Sequence, residues 1–509
     1  MEIPVEMVGI DERLVLEYAY AQLTLSRLGA IMSEKTLSGP TGGRLKEDAL
    51  GRRKFLATAT GLASAVWLTT GPGAKASAAP VVSAPAGALA IAVGPPVRAT
   101  MLEAKLSGPQ YYDDEEKQEL IDVLENRSPF RWWGLDAKGH PPDKCINFEK
   151  EFSAHQQTKY CIAVTSGTTA LMSALAGLGV GPGDEVILPA WTWYACYDAI
   201  LAHGALPVFA EVDDSMNIDP TDIERHITRA TKVIMSVHIL GAPADMDPIL
   251  EIARKHNLKV LEDCAQSVVV SYKGRPVGSM GNAGIYSFQV NKTISPGEGG
   301  AVVTSDPDVF ERATRYHDCG FLRDGHAKVL AQPSHLKDFS SPNFRMSEFT
   351  AAVLRAQLRK LDRIVGDFRD KTTRITDGIK DLPGIQFRKK NDPGGGLGNW
   401  VFINTKGKEQ RDAFIRAMRA ENITAEPMGG SAILPIATHI EKKETLQLDW
   451  PSFTVGRGKT IQYGASACPK TIDVWNRYVG IPMDPKFTDQ DVADIIAAVR
   501  KVYPVVMKA

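Results

Sequence analysis

The most informative segment of the sequence is Ile285-Tyr286-Ser287-Phe288-Gln289-Val290-Asn291-Lys292-Thr293-Ile294-Ser295-Pro296-Gly297-Glu298-Gly299-Gly300. It begins as an apolar strand and passes into a turn-rich loop that carries a single lysine, Lys292. A lysine in such surroundings loses its water and becomes nucleophilic, whereas an isolated lysine is usually a solvated surface charge. Ser287 precedes Lys292 closely enough to reach a phosphate on whatever group the lysine holds. The segment therefore predicts a lysine-based site near the end of a buried strand.

A second segment joins an apolar strand directly to the start of a helix through Thr165-Ser166-Gly167-Thr168-Thr169. Backbone N–H groups at a helix start, a glycine that permits close approach, and adjacent hydroxyls together form a phosphate cradle. Serine and threonine are also ordinary helix N-caps. On its own, this segment leaves both interpretations open.

A third segment, Val260-Leu261-Glu262-Asp263-Cys264-Ala265-Gln266, places two acids at the carboxyl end of a strand. Ligands of open α/β sheets usually bind at such ends. Glu262 and Asp263 point to opposite faces of the strand, so at most one of them addresses a ligand directly. A buried acid needs a positive partner, and a protonated pyridine nitrogen would be one. The alternative is an acid that only caps the following turn.

The residues around these segments predict an α/β protein. Short apolar runs of strand length alternate with helical stretches such as 245–256, which indicates βαβ units and a mostly parallel sheet between helices. The periodicity of residues 347–382 predicts one long amphipathic helix. We expect a large domain at 98–368 and a smaller C-terminal α+β domain at 369–509. The predicted strands of the large domain are Tyr160–Val164, Glu185–Leu188, Pro207–Val212, Lys232–Val237 and Lys259–Glu262.

Composition excludes several classes of protein. The chain has 509 residues, of which 44% are hydrophobic and 23% charged, and its net charge is −1. These values are typical of a soluble globular protein and give no reason to expect a nucleic acid or an anionic membrane surface as partner. The six cysteines are scattered without any CxxC pair, so we expect small buried side chains and no metal site.

The N-terminal part resembles an export signal. Arg52-Arg53-Lys54-Phe55-Leu56 opens a mildly apolar run that ends at Leu68, and Ala76-Ser77-Ala78 follows as a cleavage site. We predict a twin-arginine-like signal peptide at 52–79 and a linker at 80–97. Residues 1–51 are then its n-region, or the start is mis-annotated and Met32 is the true start, which would shorten that n-region. The run is shorter than the about 20 residues that span a bilayer, so no stable membrane span is expected. A buried helix in a cytoplasmic protein, or an uncleaved anchor, is the alternative.

Taken together, the three segments resemble the DegT/DnrJ/StrS family of aminotransferases, fold-type-I pyridoxal-phosphate enzymes that act mostly on keto-sugars. The resemblance covers about residues 100–505. Further matching stretches are Pro129–Gly134, Gly183–Pro189, Val237–Gly241, Tyr272–Arg275 and Asn343–Glu348.

The resemblance implies a role for each site residue. Lys292 would form the Schiff base with pyridoxal 5'-phosphate and shuttle protons, and Asp263 would pair with the pyridinium nitrogen. Gln266 would contact the ring hydroxyl, and Trp193 would stack on the ring, although an aromatic side chain in the core is the alternative for Trp193. In relatives the asparagine equivalent to Asn343 reaches the phosphate from the neighbouring subunit, which implies a homodimer. The phosphate itself would be held by Gly167, Thr168 and Ser287.

The implied activity is ping-pong transfer of an amino group from glutamate or glutamine to a keto-sugar or a cyclitol ketone. A related pyridoxamine-dependent sugar dehydratase would carry histidine in place of Lys292. The remaining alternative is a non-catalytic or repurposed exported protein that binds the cofactor. Residues 428–440 lack the histidine motif of many relatives, whereas Cys468-Pro469-Lys470-Thr471 resembles relatives that use glutamine and cyclitol ketones.

Overall fold

Apolar runs bounded by turn residues form the seven-stranded sheet at the centre of the structure. The computed structural model describes residues 88–508 except 93, 136–138, 331, 335 and 429–431. The predicted signal segment 52–79 and residues 1–51 lie outside this part of the chain. No helix in the described part is both long enough and apolar enough to cross a membrane.

The central sheet is mostly parallel, as predicted. In sheet order its strands are β1, β7, β6, β5, β4, β2 and β3. Four neighbouring pairs are parallel, and only β7 runs against the others, between β1 and β6. The carboxyl ends of β1, β4, β5 and β6 therefore meet at one edge. The strands are β1 Tyr160–Val164, β2 Glu185–Pro189, β3 Leu206–Ala210, β4 Thr231–Val237, β5 Lys259–Asp263, β6 Ala283–Ser287 and β7 Gly300–Thr304.

Helices flank the sheet, and several begin at side-chain caps that the sequence provides. Ser166 and Thr169 form a capping box at the start of α3, and Asp113 and Glu116 form another at α1. The helices up to residue 379 are α1 Asp114–Glu125, α2 Lys144–His155, α3 Gly167–Gly177, α4 Tyr194–Ala202, α5 Met246–Lys255, α6 Pro307–His317, α7 Asp324–Leu330, α8 Glu348–Arg359 and α9 Leu361–Ile379. Four-residue helices lie at Pro220–Ile223, Thr438–Glu441 and Pro451–Thr454.

The prediction of a single long helix over residues 347–382 is wrong, because this segment forms two helices, α8 and α9, that are separated at Lys360. The Lys360 ammonium donates to the Glu116 carboxylate at 2.7 Å and to the Tyr111 carbonyl at 3.0 Å. Both of these residues precede the first strand of the sheet in the sequence. The apolar stripe continues across the break because both helices pack against the same core. Periodicity alone therefore could not reveal the interruption.

A smaller three-stranded antiparallel sheet follows α9, with strand order β8, β10, β9. The predicted boundary at residues 368/369 falls within α9, and the division into two domains remains a prediction. The elements of this part are β8 Trp400–Asn404, α10 Lys408–Ala420, β9 Glu426–Pro427, α11 Pro469–Arg477, β10 Tyr478–Pro482 and α12 Asp489–Val506.

The described end of the predicted linker is held by the C-terminal part of the chain. The buried Glu421 carboxylate accepts hydrogen bonds from the backbone N–H groups of Ala90 at 2.9 Å and Val97 at 3.0 Å. Lys501 forms a salt bridge with the same carboxylate at 2.8 Å. These contacts fix Ala90 and Val97 at the end of α10, beside Lys501 of α12, instead of leaving them as a free tether.

Candidate active site

A cavity of about 740 Å³ opens at the edge where the carboxyl ends of β4, β5 and β6 meet the start of α3. Its walls also include residues of the smaller sheet, among them Trp400 and Glu426. The cavity brings together all but one of the site residues that the sequence predicted. Those that line it are Gly167, Thr168, Trp193, Asp263, Gln266, Ser287 and Lys292.

The start of α3 forms one wall of the cavity and has the properties of an anion cradle. Gly167 and Thr168 occupy the first turn, where backbone N–H groups have no carbonyl partner within the helix. A Cβ atom on Gly167 would lie 2.6 Å from the Cβ of Ser287, so only glycine permits this approach. The Ser287 hydroxyl at the end of β6 is thereby placed beside the helix start. A phosphate fits this combination of N–H groups, hydroxyl and helix dipole.

Asp263 ends β5 with its carboxylate buried in the cavity wall. Its Oδ1 accepts a hydrogen bond from the N–H of Ala265 at 2.9 Å, and its Oδ2 accepts one from the thiol of Cys196 at 3.0 Å. Burial raises the pKa of the Asp263 carboxyl, while the Cys196 and Ala265 hydrogen bonds and the charge of Lys292 lower it. Within the described chain Asp263 forms no salt bridge, so a cationic ring nitrogen fits as its missing partner.

Glu262 faces away from the cavity, so Asp263 is the one of these two adjacent acids that lines it. It is completely buried and accepts hydrogen bonds from the backbone N–H groups of Gly278, Met280 and Gly281, at 2.6 to 2.8 Å. The imidazole of His238 lies 3.1 Å from the same carboxylate. Because His238 Nδ1 accepts the N–H of Ala244, its Nε2 carries the proton that is donated to Glu262. Glu262 therefore joins β4, β5 and the loop before β6.

Lys292 lies in the loop after β6, and its side chain is partly buried in the cavity. Its backbone N–H donates to the carbonyl of Gln289 at 2.8 Å, which closes the turn. Burial lowers the pKa of the Lys292 ammonium, and the carboxylates of Asp263 and Glu298 oppose this effect. A lowered pKa increases the neutral amine fraction that nucleophilic attack and proton transfer require.

Trp193 and Gln266 line the cavity in different ways. Trp193 is 53% exposed, so it is not the core aromatic that the alternative interpretation required; the buried tryptophan of this segment is Trp191. Gln266 accepts the N–H of Leu240 at 2.8 Å. Leu240 has a left-handed backbone conformation with φ of 49°, which is strained for a bulky residue. The partly buried Arg388 holds that turn by donating to the carbonyls of Leu240 and Ile239, and it also donates to the carbonyl of Ser215.

Asn343 is the one predicted site residue outside the cavity of this chain. It is exposed, and its Oδ1 accepts the N–H of Arg345 at 3.2 Å. The next residue, Phe344, accepts the N–H of Thr165 through its carbonyl at 3.0 Å, just before the start of α3. Asn343 is therefore available to another molecule, and its predicted role in a partner's site stays a prediction.

Sequence reasoning missed several residues of the site. Cys196 was expected to be a small buried hydrophobic residue, yet its thiol donates a hydrogen bond to Asp263 and lies 3.2 Å from the hydroxyl of Thr192. Burial raises the pKa of the Cys196 thiol well above its usual range, so it remains a protonated donor. Its position three residues after Trp193 was the available signal. Cys319 contradicts the same expectation differently, because it is exposed. Glu298, Asn399 and Glu426 also line the cavity.

The arrangement fits pyridoxal 5'-phosphate at each of its reactive groups. The cradle of Gly167 and Ser287 suits the phosphate, the unpaired charge of Asp263 suits a protonated ring nitrogen, and Lys292 suits the aldehyde carbon. Within the described residues these three features share one cavity. They can bind the cofactor, keep its ring protonated and move a proton beside it.

Comparison with known proteins gives consistent results. Residues 116–448 match the model of the DegT/DnrJ/EryC1/StrS aminotransferase family. The chain is 32% identical over 341 residues to GDP-perosamine synthase of Vibrio cholerae, covering 66% of this chain and 88% of that protein. It is 31% identical over 400 residues to a putative L-glutamine:3-amino-2,3-dideoxy-scyllo-inosose aminotransferase of Micromonospora echinospora, covering 76% and 91%. The solved structure of DesV from S. venezuelae with a ketimine intermediate superposes with a TM-score of 0.61 and 29% identity, covering 76% and 94%.

Proposed function

This chain belongs to the DegT/DnrJ/EryC1/StrS aminotransferase family, and from that premise we propose that it transfers an amino group from glutamate or glutamine to a keto-sugar or cyclitol ketone. It is a pyridoxal-phosphate-dependent aminotransferase with the fold of that class. The single observation that supports the proposed chemistry is that Lys292 and Asp263 line one cavity with the anion cradle at Gly167. When bound, the cofactor carries the amino group between the two substrates and its ring acts as an electron sink.

Each residue of the chain then has a defined task. The N–H groups of Gly167 and Thr168 and the hydroxyl of Ser287 hold the phosphate. Asp263 keeps a proton on the ring nitrogen, and the thiol of Cys196 keeps the Asp263 carboxylate oriented and ionised. The Nζ atom of Lys292 removes and returns protons at the reacting carbon. Trp193, which is largely exposed at the cavity wall, covers the ring and excludes water.

The acceptor class follows from relatives that differ in substrate. GDP-perosamine synthase is named for a nucleotide-linked amino sugar, and the inosose aminotransferase for glutamine and a cyclitol. Their identities to this chain are nearly equal, at 32% and 31%. Similarity therefore supports a ketone of a sugar or cyclitol without distinguishing the two.

The test is the donor half-reaction, followed by absorbance of the bound cofactor in the absence of any ketone. Adding glutamine or glutamate to the purified protein should convert the lysine-bound form to the amino form. Lys292→Ala should abolish this conversion, whereas Lys408→Ala, at an exposed position outside the cavity, should not. Borohydride should fix the cofactor on Lys292. A protein that binds the cofactor but responds to no amino donor would instead be a non-catalytic binder.

We further propose that the enzyme is a homodimer in which Asn343 completes the phosphate site of the partner. The exposure of Asn343 and its place beside the start of α3 support this arrangement. Sedimentation of the native protein, together with cofactor retention in an Asn343→Ala variant, tests it.

We also propose export through a twin-arginine route, with cleavage near Ala78. The support is the order of Arg52-Arg53, a modestly apolar run and Ala76-Ser77-Ala78. A cofactor site assembled from distant segments favours a route that carries folded protein. N-terminal sequencing of native protein and fractionation of an Arg52→Lys, Arg53→Lys variant test this. A cytoplasmic protein that retains residues 52–78 would contradict it.

A further inference from the structure

The chain makes a tight turn over residues 238–241, directly after β4, and this Leu240 turn forms part of the cavity wall. Leu240 is buried and has φ of 49° and ψ of 48°, and the next residue, Gly241, has φ of 71°. A left-handed backbone is unfavourable for a residue with a branched side chain such as leucine. Contacts from the surrounding structure must therefore hold Leu240 in this conformation.

The Leu240 turn sets the orientation of Gln266. The Leu240 N–H donates to Oε1 of Gln266 at 2.8 Å, and both residues line the cavity. Because a backbone N–H can only donate, the carbonyl branch of the Gln266 amide faces Leu240 and its NH2 branch lies on the other side. The predicted contact of Gln266 with the ring hydroxyl uses that NH2 group as donor. A change in the turn would therefore move the amide that is predicted to meet the ring.

Arg388 holds the Leu240 turn from the segment that precedes the smaller sheet. Its Nη1 donates to the carbonyl of Leu240 at 3.3 Å, and its Nη2 donates to the carbonyl of Ile239 at 2.9 Å. Its Nε donates to the carbonyl of Ser215 at 2.7 Å. The three donors belong to one rigid, planar guanidinium. The two carbonyls of the turn are thus fixed relative to each other and to Ser215.

Arg388 is itself attached to β8. Its backbone N–H donates to the carbonyl of Phe402 at 3.3 Å, and its guanidinium carbon lies 5.7 Å from the centre of the Phe402 ring. Further along the same segment, the N–H of Leu397 donates to the carbonyl of Gly241 at 2.8 Å. Residues 388–397 therefore connect a strand of the smaller sheet to the cavity wall at two successive residues of the turn.

We propose that Arg388 is a positioning residue of this aminotransferase: it stabilises the left-handed conformation of Leu240 and thereby holds the Gln266 amide in place for the cofactor ring. The two ends of Leu240 carry this effect, since its carbonyl accepts from Arg388 and its N–H donates to Gln266. The inference rests on the predicted role of Gln266. It does not depend on the identity of the ketone or of the amino donor.

The first experiment follows the absorbance spectrum of bound pyridoxal phosphate and its retention in equilibrium dialysis, without any substrate. Gln266→Ala should shift the spectrum, because the ring oxygen loses a donor. Arg388→Ala should shift it in the same direction and weaken retention by about 10-fold, the effect of one hydrogen bond. Arg411→Ala is the matched control and should change neither. Arg411 is buried, donates to the carbonyl of Trp475 at 2.9 Å and lies outside the cavity wall that the described residues form.

The second experiment removes the need for the clamp. Glycine adopts the left-handed conformation readily, so in a Leu240→Gly background the added Arg388→Ala change should weaken retention by clearly less than 10-fold, relative to Leu240→Gly alone. Hydrogen exchange of the peptide that contains Leu240, measured on the protein without cofactor, gives a readout that involves no ligand. Arg388→Ala should accelerate this exchange by about 10-fold, and Arg411→Ala should leave it at the wild-type rate.

Several results would overturn the proposal. One is an Arg388→Ala protein that folds and keeps the wild-type spectrum, retention and exchange; another is a Leu240→Gly background in which Arg388→Ala costs as much as in the wild type. An unchanged spectrum in Gln266→Ala would show that the amide does not serve the ring. If Arg388→Ala does not fold, Arg388→Lys, which keeps the charge without the planar fork, takes its place with the same expected directions. Because no readout uses an amino donor, a failure of the proposed transfer reaction would be seen separately, in the donor half-reaction.

Discussion

The hydrogen bond between the Cys196 thiol and Asp263 allows a quantitative prediction. The thiol donates to Oδ2 at 3.0 Å, in a place where burial raises the pKa of the carboxyl and this bond lowers it. Hydrogen bonds to charged groups contribute about 1.5–3 kcal/mol, and a thiol is a weak donor, so the lower value applies. Since about 1.4 kcal/mol corresponds to one pKa unit, Cys196→Ala should raise the pKa of Asp263 by about one unit.

The assay is the pH dependence of the glutamine half-reaction, measured by rapid mixing. In its proposed role Asp263 acts as a carboxylate, so we expect activity to be present above its pKa and to be lost as the pH falls through that pKa. Cys196→Ala should therefore move the acid limb of the profile upward by about one pH unit. Cys196→Ser should not, because a hydroxyl donates at least as well as the thiol. In that case the limb stays at or below the wild-type position.

A second buried cysteine supplies the matched control. Cys468 is fully buried, does not line the cavity and makes no contact with Asp263, so Cys468→Ala loses a thiol without touching the carboxylate. The acid limb of the pH profile of Cys468→Ala should stay at the wild-type position. The reasoning fails if Cys196→Ala leaves the limb unmoved, or if Cys196→Ser shifts it as far as alanine does.

Three further predictions concern the cradle, the acid and the partner. Gly167→Ala should destabilise the protein by about 1–3 kcal/mol in urea unfolding, because its Cβ would lie 2.6 Å from the Ser287 Cβ; Ser287→Gly should relieve this cost and Ser287→Ala should not. Asp263→Ala should fold and bind the cofactor but react very slowly with glutamine in a single-turnover measurement, and a near wild-type rate would show that Asp263 does not serve the ring. Dilution of the wild type to monomers should weaken cofactor retention, measured by equilibrium dialysis, to the level of Asn343→Ala, and a monomer that binds as tightly as the dimer would contradict the shared site.

The sequence predicted the strands well, because strands buried on both faces form continuous apolar runs. Strand β1 was predicted at Tyr160–Val164, where the structure has it, and β5 differs only by the addition of Asp263. Strand β7 was not predicted, and nothing local indicates that it lies antiparallel between β1 and β6. Such placement depends on contacts with strands far away in the sequence.

The site residues that share one sequence motif were predictable. Those whose roles depend on how distant segments pack together were not. Lys292 and Ser287 share one segment, so spacing alone indicated that they act together. The choice between Glu262 and Asp263 required the backbone N–H groups of residues 278–281, which fill the face that Glu262 occupies. Cys196 belongs to no motif, and its bond to Asp263 exists only because α4 packs against the end of β5.

The pairing of β7 with β1, which is distant in the sequence, has a consequence for how the enzyme is made. A Cβ on Gly300, the first residue of β7, would lie 2.2 Å from the carbonyl oxygen of Ser166. The start of β7 therefore packs directly against the start of α3. The cradle is thus closed by residues synthesised long after β1, and a nascent chain cannot form it until β7 has emerged. Contacts so distant in sequence are slow to form. A ligand held in this cradle binds only the folded protein. Cofactor uptake would therefore follow the pairing of β7 and would stabilise the folded state by mass action.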